Sequence, residues 1–491
     1  METQEIPPRA AKHPTPASPI ETPGEQEWPA HRLSARKPVM AAMICIALVG
    51  GMQGVDPALH SVAMPAAAKA LGMDPSLAAF LKSIGTIVLA ASMLGVGIIG
   101  DRQGRKKILV AGILLMGVAA LISAVAVNPL IFGLGRVLMG VSTAMSFAMC
   151  LALIPTLFEK KDLPKAFGLF FGAGATLIVI ATSLSGTIQG ALGWRATYLS
   201  TTVLCLVLTF AAVRLLPENR TTAQRKFDTV GVILAGVGLI ALVYSIGQAS
   251  TRGWGSPLVI GGIFLALVIL GAFAFWERRI ESPAFPVDLF KKPAFAAACL
   301  AGVLFNWADA SLLGQYPALA LPAGVPASAV SVVVAVMYIG MICGAPMAGI
   351  AQKRFGATNR TMFTSGLLLC ALGLASQIFM RDPHNIALPA TGLFVVGFAV
   401  MWMQNPQSAI IMGSAPADQL GAVGAVKPAV GQFGFGLGFA LAGPMSTIFM
   451  EDGVMTAHAY GMGLAVQSII FVIAAALIFL LLTPRNRQTA A

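Results

Sequence analysis

Long apolar runs alternate with short polar and charged stretches along nearly the whole chain. A helix needs about 20 consecutive, mostly apolar residues to cross a bilayer. Fourteen such runs can be marked, at 39–67, 78–100, 108–127, 130–155, 165–188, 194–216, 228–248, 256–276, 294–321, 326–351, 361–380, 386–414, 421–450 and 460–483. The pattern predicts an all-α polytopic membrane protein. Many runs are rich in Gly and Ala, as in Gly431-Gln-Phe-Gly434-Phe-Gly436-Leu-Gly438. Small residues of this kind allow close helix packing, and they equally suit helices that slide.

Composition agrees. Apolar residues make up 57% of the 491 and charged residues only 11%, against about 25% in soluble proteins. Lipid must therefore serve as much of the solvent. The net charge of +12 does not indicate nucleic-acid binding, because the cations sit in short clusters between the apolar runs and form no basic face. Of the 32 Lys and Arg, 25 fall on one side of the alternating topology, four on the other, and three (Lys82, Arg136, Lys427) within spans. The positive-inside rule then places both termini in the cytoplasm and the protein in the cell (plasma or inner) membrane.

The polar, Pro-rich segment 1–37 cannot bury enough apolar surface to fold and is expected to be a disordered cytoplasmic tail. The segment lacks the short basic start of a signal peptide. The expected organisation is a six-helix bundle over 38–216, two additional helices with linkers over 217–292, a second six-helix bundle over 293–483 and a tail at 484–491. A faint repeat supports two related halves: Gly97-x3-Asp101-Arg102-x-Gly104-Arg105 recurs 252 positions later as Gly349-x3-Lys353-Arg354-x-Gly356. Two similar halves with a site between them near the midplane is a common transporter plan. The six cysteines all lie in apolar runs and read as small buried hydrophobes. No His/Cys/carboxylate cluster has metal spacing. No Gly-x4-Gly-Lys-Ser/Thr loop and no nucleophile elbow occurs, so neither ATP-driven transport nor an enzyme is expected.

The loop Gly97-Ile-Ile-Gly-Asp101-Arg102-Gln-Gly104-Arg105-Lys-Lys resembles the signature loop between the second and third helices of the major facilitator superfamily. By itself it supplies glycines for a tight turn, cations to hold the loop inside, and Asp101 able to cap or to pair with Arg105. The resemblance implies a latch between the two halves at the cytoplasmic face. Within that superfamily, Asp56-Pro-Ala-Leu-His-Ser-Val62-Ala63-Met-Pro65 and Arg136-Val-Leu-Met-Gly140 resemble the first- and fourth-helix motifs of the fourteen-helix drug:proton antiporters. Phe227-Asp228-x2-Gly231, Gly253-Trp254-Gly255 and Glu277-Arg278-Arg279 fit their two inserted helices. The chain departs from that pattern at Phe80 (usually Trp), Met139 (usually Gln) and Gly431 (often Arg). It also departs in the fifth helix, where Ala181-Thr182 and Ser185-Gly186 replace Gly-Pro and Gly-Gly ahead of an intact Gly193-Trp194-Arg195. The resemblance implies two pseudo-symmetric six-helix bundles plus two inserted helices, and alternating-access export of drugs or amphiphiles driven by a proton gradient without a bound cofactor. The fifth-helix departures keep open a proton-linked importer or exporter of an endogenous anionic or zwitterionic metabolite.

Charges at membrane depth are costly unless paired or wetted, and each is a functional candidate. Asp56 carries His60 four residues on, on the same face; it is either a proton-coupling carboxylate or the fixed partner of Lys82 or another cation. Arg136 cannot lose its proton and needs partners; the resemblance assigns it to proton coupling. Asp309, with Asn306, Trp307 and Gln315 near it as cavity lining, is a second candidate proton site; the alternative is capping of a broken helix. Trp402, Gln404, Asn405 and Gln407 surround Pro406 in the twelfth span, either as a substrate-binding surface at a proline break in the helix or as interhelical hydrogen bonds. Lys82, Lys427 and His60 complete the substrate-binding candidates, although either lysine could instead reach out to the headgroups. Counted together, these charges are not a cation trap. The expected partners are a small-molecule substrate and the lipid bilayer, no nucleic acid, and no second copy of the chain.

Overall fold

The computed structural model describes residues 37–158, 162–217, 228–280, 287–414, 420–450 and 454–483. Among them stand fourteen α-helices: α1 (Lys37–Ala70), α2 (Pro75–Gln103), α3 (Arg105–Val125), α4 (Pro129–Leu157), α5 (Leu163–Leu192), α6 (Trp194–Leu215), α7 (Thr229–Arg252), α8 (Pro257–Glu277), α9 (Pro293–Ala320), α10 (Ala327–Phe355), α11 (Asn359–Ala375), α12 (Ala387–Gly413), α13 (Leu420–Thr447) and α14 (Ala457–Leu481). Thirteen are long and apolar enough to cross a membrane; α13, at 28 residues, has the length of the others. The helices outrun the apolar runs because polar caps start them. The Asp74 carboxylate accepts from the Ser76 and Leu77 amides ahead of α2, and Asn128 accepts from Ile131 ahead of α4, with a proline in the first turn of each. The expected tails at 1–37 and 484–491 lie outside the described residues except for Lys37, which belongs to α1 and not to the tail.

The packing repeats itself when each helix is exchanged for the one eight places along. The pairs α1–α5, α2–α4, α3–α4, α3–α6, α1–α4 and α1–α6 of the first half have their images in α9–α13, α10–α12, α11–α12, α11–α14, α9–α12 and α9–α14. The two seams between the halves, α2–α13 and α5–α10, are images of each other. This is a pseudo-twofold arrangement of two six-helix bundles. Helices α3, α6, α11 and α14 pack within their own halves. The inserted α7 lies across the α2–α13 seam and α8 packs on α7. On α8, bulky side chains such as Phe264, Leu265 and Leu267 are exposed, as lipid contact requires, whereas α9 is buried along most of its length.

The repeated loop keeps one backbone feature in both copies. Gly104 closes α2 at φ 104° and Gly356 closes α10 at φ 62°, a region that disfavours any Cβ. The side chains of Asp101 and Arg102 lie outside the described set, as does the surface of Gly97. Arg105 donates to the Ala152 carbonyl of α4 at 3.0 Å. Two expectations need correction. Cys343 is exposed, while the other five cysteines are buried. Pro406 does not break α12, which runs through it without interruption.

Among the described residues three hydrogen bonds join the halves. Lys82 Nζ donates to the Gly314 carbonyl at 2.7 Å, Ser331 Oγ to the Ser183 carbonyl at 3.1 Å, and Tyr338 Oη to the Gly54 carbonyl at 3.4 Å. The first and third are symmetry images in kind: the second helix of each half reaches a backbone oxygen on the first helix of the other. Counted along the helices, Lys82–Gly314 and Ser331–Ser183 lie in the half of the molecule away from the termini, and Tyr338–Gly54 lies near mid-depth. At the terminus end of α10, Ala345, Pro346 and Met347 are exposed.

Candidate functional site

Alpha-helical periodicity puts Asp56 and His60 of α1 one turn apart, and Phe132 and Arg136 of α4 likewise. The helices run antiparallel, so the two pairs face each other rung for rung. Arg136 Nη1 and Nη2 donate to the two Asp56 carboxylate oxygens at 2.9 and 2.6 Å, and both side chains are buried. The parallel fork is the geometry a guanidinium offers a carboxylate. Behind it lies Gly85 of α2, where an added Cβ would stand 3.2 Å from Nη2. Arg136 Nε has no partner. On the next rung His60 Nδ1 meets the Tyr198 hydroxyl of α6 at 2.6 Å, and its ring stacks on Phe132 at 6.1 Å between centroids. Phe132, Trp194 and Tyr198 close an aromatic wall around it. Among the described residues the buried His60 Nε2 has no partner within hydrogen-bond geometry.

Asp56 thus has Arg136, and not Lys82, as its partner. Lys82 instead spans the α2–α9 boundary to Gly314, with its ammonium 5.2 Å from the centre of the Phe439 ring of α13. It does not reach for the headgroups.

The polar residues of α9 are neighbours in sequence but diverge around the helix. Asn306 Nδ2 donates within its own helix to Gly302 at 2.8 Å and faces Gly431 of α13. Trp307 and Ser311 both donate to Gln467 Oε1 of α14, at 2.9 and 2.7 Å, and Gln315 links the Ala442 carbonyl to Ser446 of α13. Asp309 is buried, and among the described residues its Oδ1 has no hydrogen-bond partner. It occupies nearly the same place in α9 as Asp56 in α1, displaced by one position from the 252-residue repeat. No arginine of α12 answers it.

On α12, Trp402 donates to Ser365 of α11 at 3.0 Å and stacks on Phe398, while buried Gln407 reaches the Ala298 carbonyl of α9 at 3.4 Å beside Gly302. Both serve packing within the second half. Gln404 keeps a buried Oε1 with no donor, and Asn405 is exposed. Lys427 of α13 donates to Ser408 Oγ, one turn from Gln404, at 2.6 Å.

The sequence reading overlooked Tyr198, Ser408, Tyr338 and Gln467. Only Tyr198 carried a signal, lying three residues after Arg195 in the Gly-Trp-Arg motif. The others are single polar residues in apolar runs, indistinguishable there from ordinary helix packing. Among the described residues no group of His, Cys, Asp and Glu is placed to hold a metal ion.

What the arrangement can do is hold a buried charge pair in one half, an unpaired carboxylate in the other, and two lysines against neutral partners, all between helices that join across two seams. The chain is 30% identical over 83% of its length to the puromycin resistance protein pur8 of Streptomyces alboniger, 80% of which is covered. It is 26% identical over 86% of its length to the multidrug efflux pump LfrA of Mycolicibacterium smegmatis, covering 84% of that chain. Among solved structures, the peptide transporter POT in complex with sulfate superimposes with a TM-score of 0.65 at 15% identity, over 91% of this chain and 95% of that one. Residues 39–438 match the Major Facilitator Superfamily. With two six-helix bundles related by a pseudo-twofold axis and the signature loop between α2 and α3, the chain belongs to the major facilitator superfamily of membrane transporters.

Proposed function

We propose that this chain is a proton-driven exporter of amphiphilic small molecules, acting as a monomer in the plasma membrane with both termini in the cytoplasm. The single observation that carries the reading is the pair of buried acids at corresponding places in the two halves, Asp56 held by Arg136 and Asp309 unpaired. A proton arriving on Asp56 removes the charge that Arg136 grips, and Arg136 cannot discharge itself. The fork then loosens, and α1 is free to move relative to α4. Asp309 accepts or yields a proton with no cation to oppose it. Each proton moving down a 100 mV potential contributes about 2.3 kcal/mol, and no bound cofactor is needed.

Closure in the half away from the termini, through Lys82 and Ser331, fits the loading state of an exporter whose termini lie in the cytoplasm. Relatives named for puromycin resistance and multidrug efflux support an outward direction. A second reading, exchange of an endogenous anionic or zwitterionic metabolite, is favoured by Lys82 and Lys427 having neutral partners.

The test is transport in everted membrane vesicles. An inside-acid pH gradient should drive accumulation of an amphiphilic dye, and nigericin, Asp56→Asn and Asp309→Asn should each abolish it. Accumulation indifferent to the gradient would exclude proton drive.

A further inference from the structure

We propose that Lys427, with Ser408 and Gln404, forms an anion-recognising subsite in the second half, so that the transported molecules carry a carboxylate or comparable anionic group on an apolar body. The proposal rests on the transporter reading above and adds the chemical class of the cargo.

The charges within the spans balance unevenly. Asp56 and Arg136 cancel through two direct hydrogen bonds. Asp309 contributes one negative charge, and Lys82 and Lys427 two positive ones. Lys82 is already engaged in the far seam, between a carbonyl and the face of Phe439. Lys427 has three donors, and the hydrogen bond it makes is to a neutral hydroxyl. An ammonium removed from water costs several kcal/mol unless a counter-charge and further hydrogen bonds meet it. A hydroxyl does not supply that charge.

Position separates this lysine from the headgroup region. Helix α13 touches α2, α7, α9, α12 and α14, so it presents no broad face to lipid, and Lys427 points to α12. It is partly exposed at its contact with Ser408 of α12. One turn along α13, Gly431 has no side chain, and the nearest group to a Cβ there is the Asn306 amide nitrogen at 3.2 Å. The glycine lets the Asn306 amide, a second donor, come close to α13 one turn from the ammonium. One turn along α12 from Ser408, the buried Gln404 Oε1 lacks a donor, which a hydroxyl or N–H on the same ligand would provide.

The experiment uses the full chain in lipid nanodiscs and three probes sharing one ring system: 1-naphthoate, 1-naphthylmethylammonium and 1-naphthalenemethanol. Binding is read by ligand-dependent thermal shift. Naphthoate should stabilise the wild type most. Lys427→Gln should weaken its binding by about 10- to 100-fold, the equivalent of one charge-assisted hydrogen bond. Lys427→Arg should retain most of the affinity, which also shows that the position tolerates substitution. Naphthoate affinity unchanged by Lys427→Gln, tighter binding of the ammonium probe, or binding of none of the three would overturn the assignment. Gradient-driven transport of a cationic dye by the same wild-type protein separates the failures. If it persists while naphthoate fails, only the anion subsite falls; if no probe responds to the gradient, the exporter reading falls.

Discussion

Asp56 and Arg136 are 80 residues apart in sequence and meet in a two-pronged hydrogen bond of 2.9 and 2.6 Å between α1 and α4. Removing one partner from a buried pair leaves an uncompensated charge, at a cost of about 3–5 kcal/mol. Asp56→Asn and Arg136→Gln should each lower thermal stability strongly. The double substitution should recover most of that loss, because neither charge is then stranded. Gradient-driven transport should stay absent in all three. Thermal unfolding of the four proteins, read as a double-mutant cycle, checks the stability part.

Lys82 and Gly314 tie the halves together away from the termini. Hydrogen bonds to charged groups contribute about 1.5–3 kcal/mol, enough to bias a two-state equilibrium by roughly 10- to 150-fold. Lys82→Met should therefore populate a form open at that end. Spin labels introduced by Gly190→Cys and Ala323→Cys, at the far ends of α5 and the α9–α10 turn, should show a longer distance in Lys82→Met than in the otherwise unchanged protein.

Gly186 of α5 is pressed against the Ala327 carbonyl and Ser331 Oγ of α10, and a Cβ there would overlap the backbone oxygen. This position falls in the fifth-helix stretch where the chain departs from the antiporter pattern. Overpacking of this kind costs about 1–3 kcal/mol and is charged to the closed seam alone. Gly186→Ala should fold but transport at least several-fold more slowly, with the same pair of labels reporting a loosened far end. Transport at wild-type rate would show that the seam opens without passing through this contact.

Asp74 caps α2, the helix that carries Lys82. Its carboxylate accepts first from the Ser76 hydroxyl and then from the Leu77 amide, and these bonds hold its pKa below the ordinary aspartate value. A depressed carboxylate stabilises the fold above the unfolded pKa of about 3.9, and that contribution is lost as pH falls through the lower folded value. Asp74→Ala should cost about 1 kcal/mol at neutral pH. The difference from wild type should shrink in thermal melts taken below pH 4.

The helices were legible because lipid forces long apolar runs, and the repeat at Gly104 and Gly356 was legible because a positive φ demands glycine. The candidate site was legible only as a set of expensive residues. Nothing in a sequence pairs Asp56 with Arg136 across 80 positions. Lys82 found a backbone carbonyl, which has no residue signature at all. Asn306, Trp307, Asp309 and Gln315 looked like one cluster, yet a rotation of about 100° per residue sends them to different neighbours. Trp402 and Gln407 resembled a binding surface and instead bond to α11 and α9.

The central claim is that protons pass through the two acids as cargo moves. Proteoliposomes of defined orientation, loaded with a trapped pH indicator, measure proton flux and amphiphilic-dye flux together. Proton movement should begin with dye addition, run opposite to the dye, and disappear in Asp56→Asn and Asp309→Asn. Dye crossing the membrane at full rate in both variants, or with no accompanying proton flux in the wild type, would contradict the account.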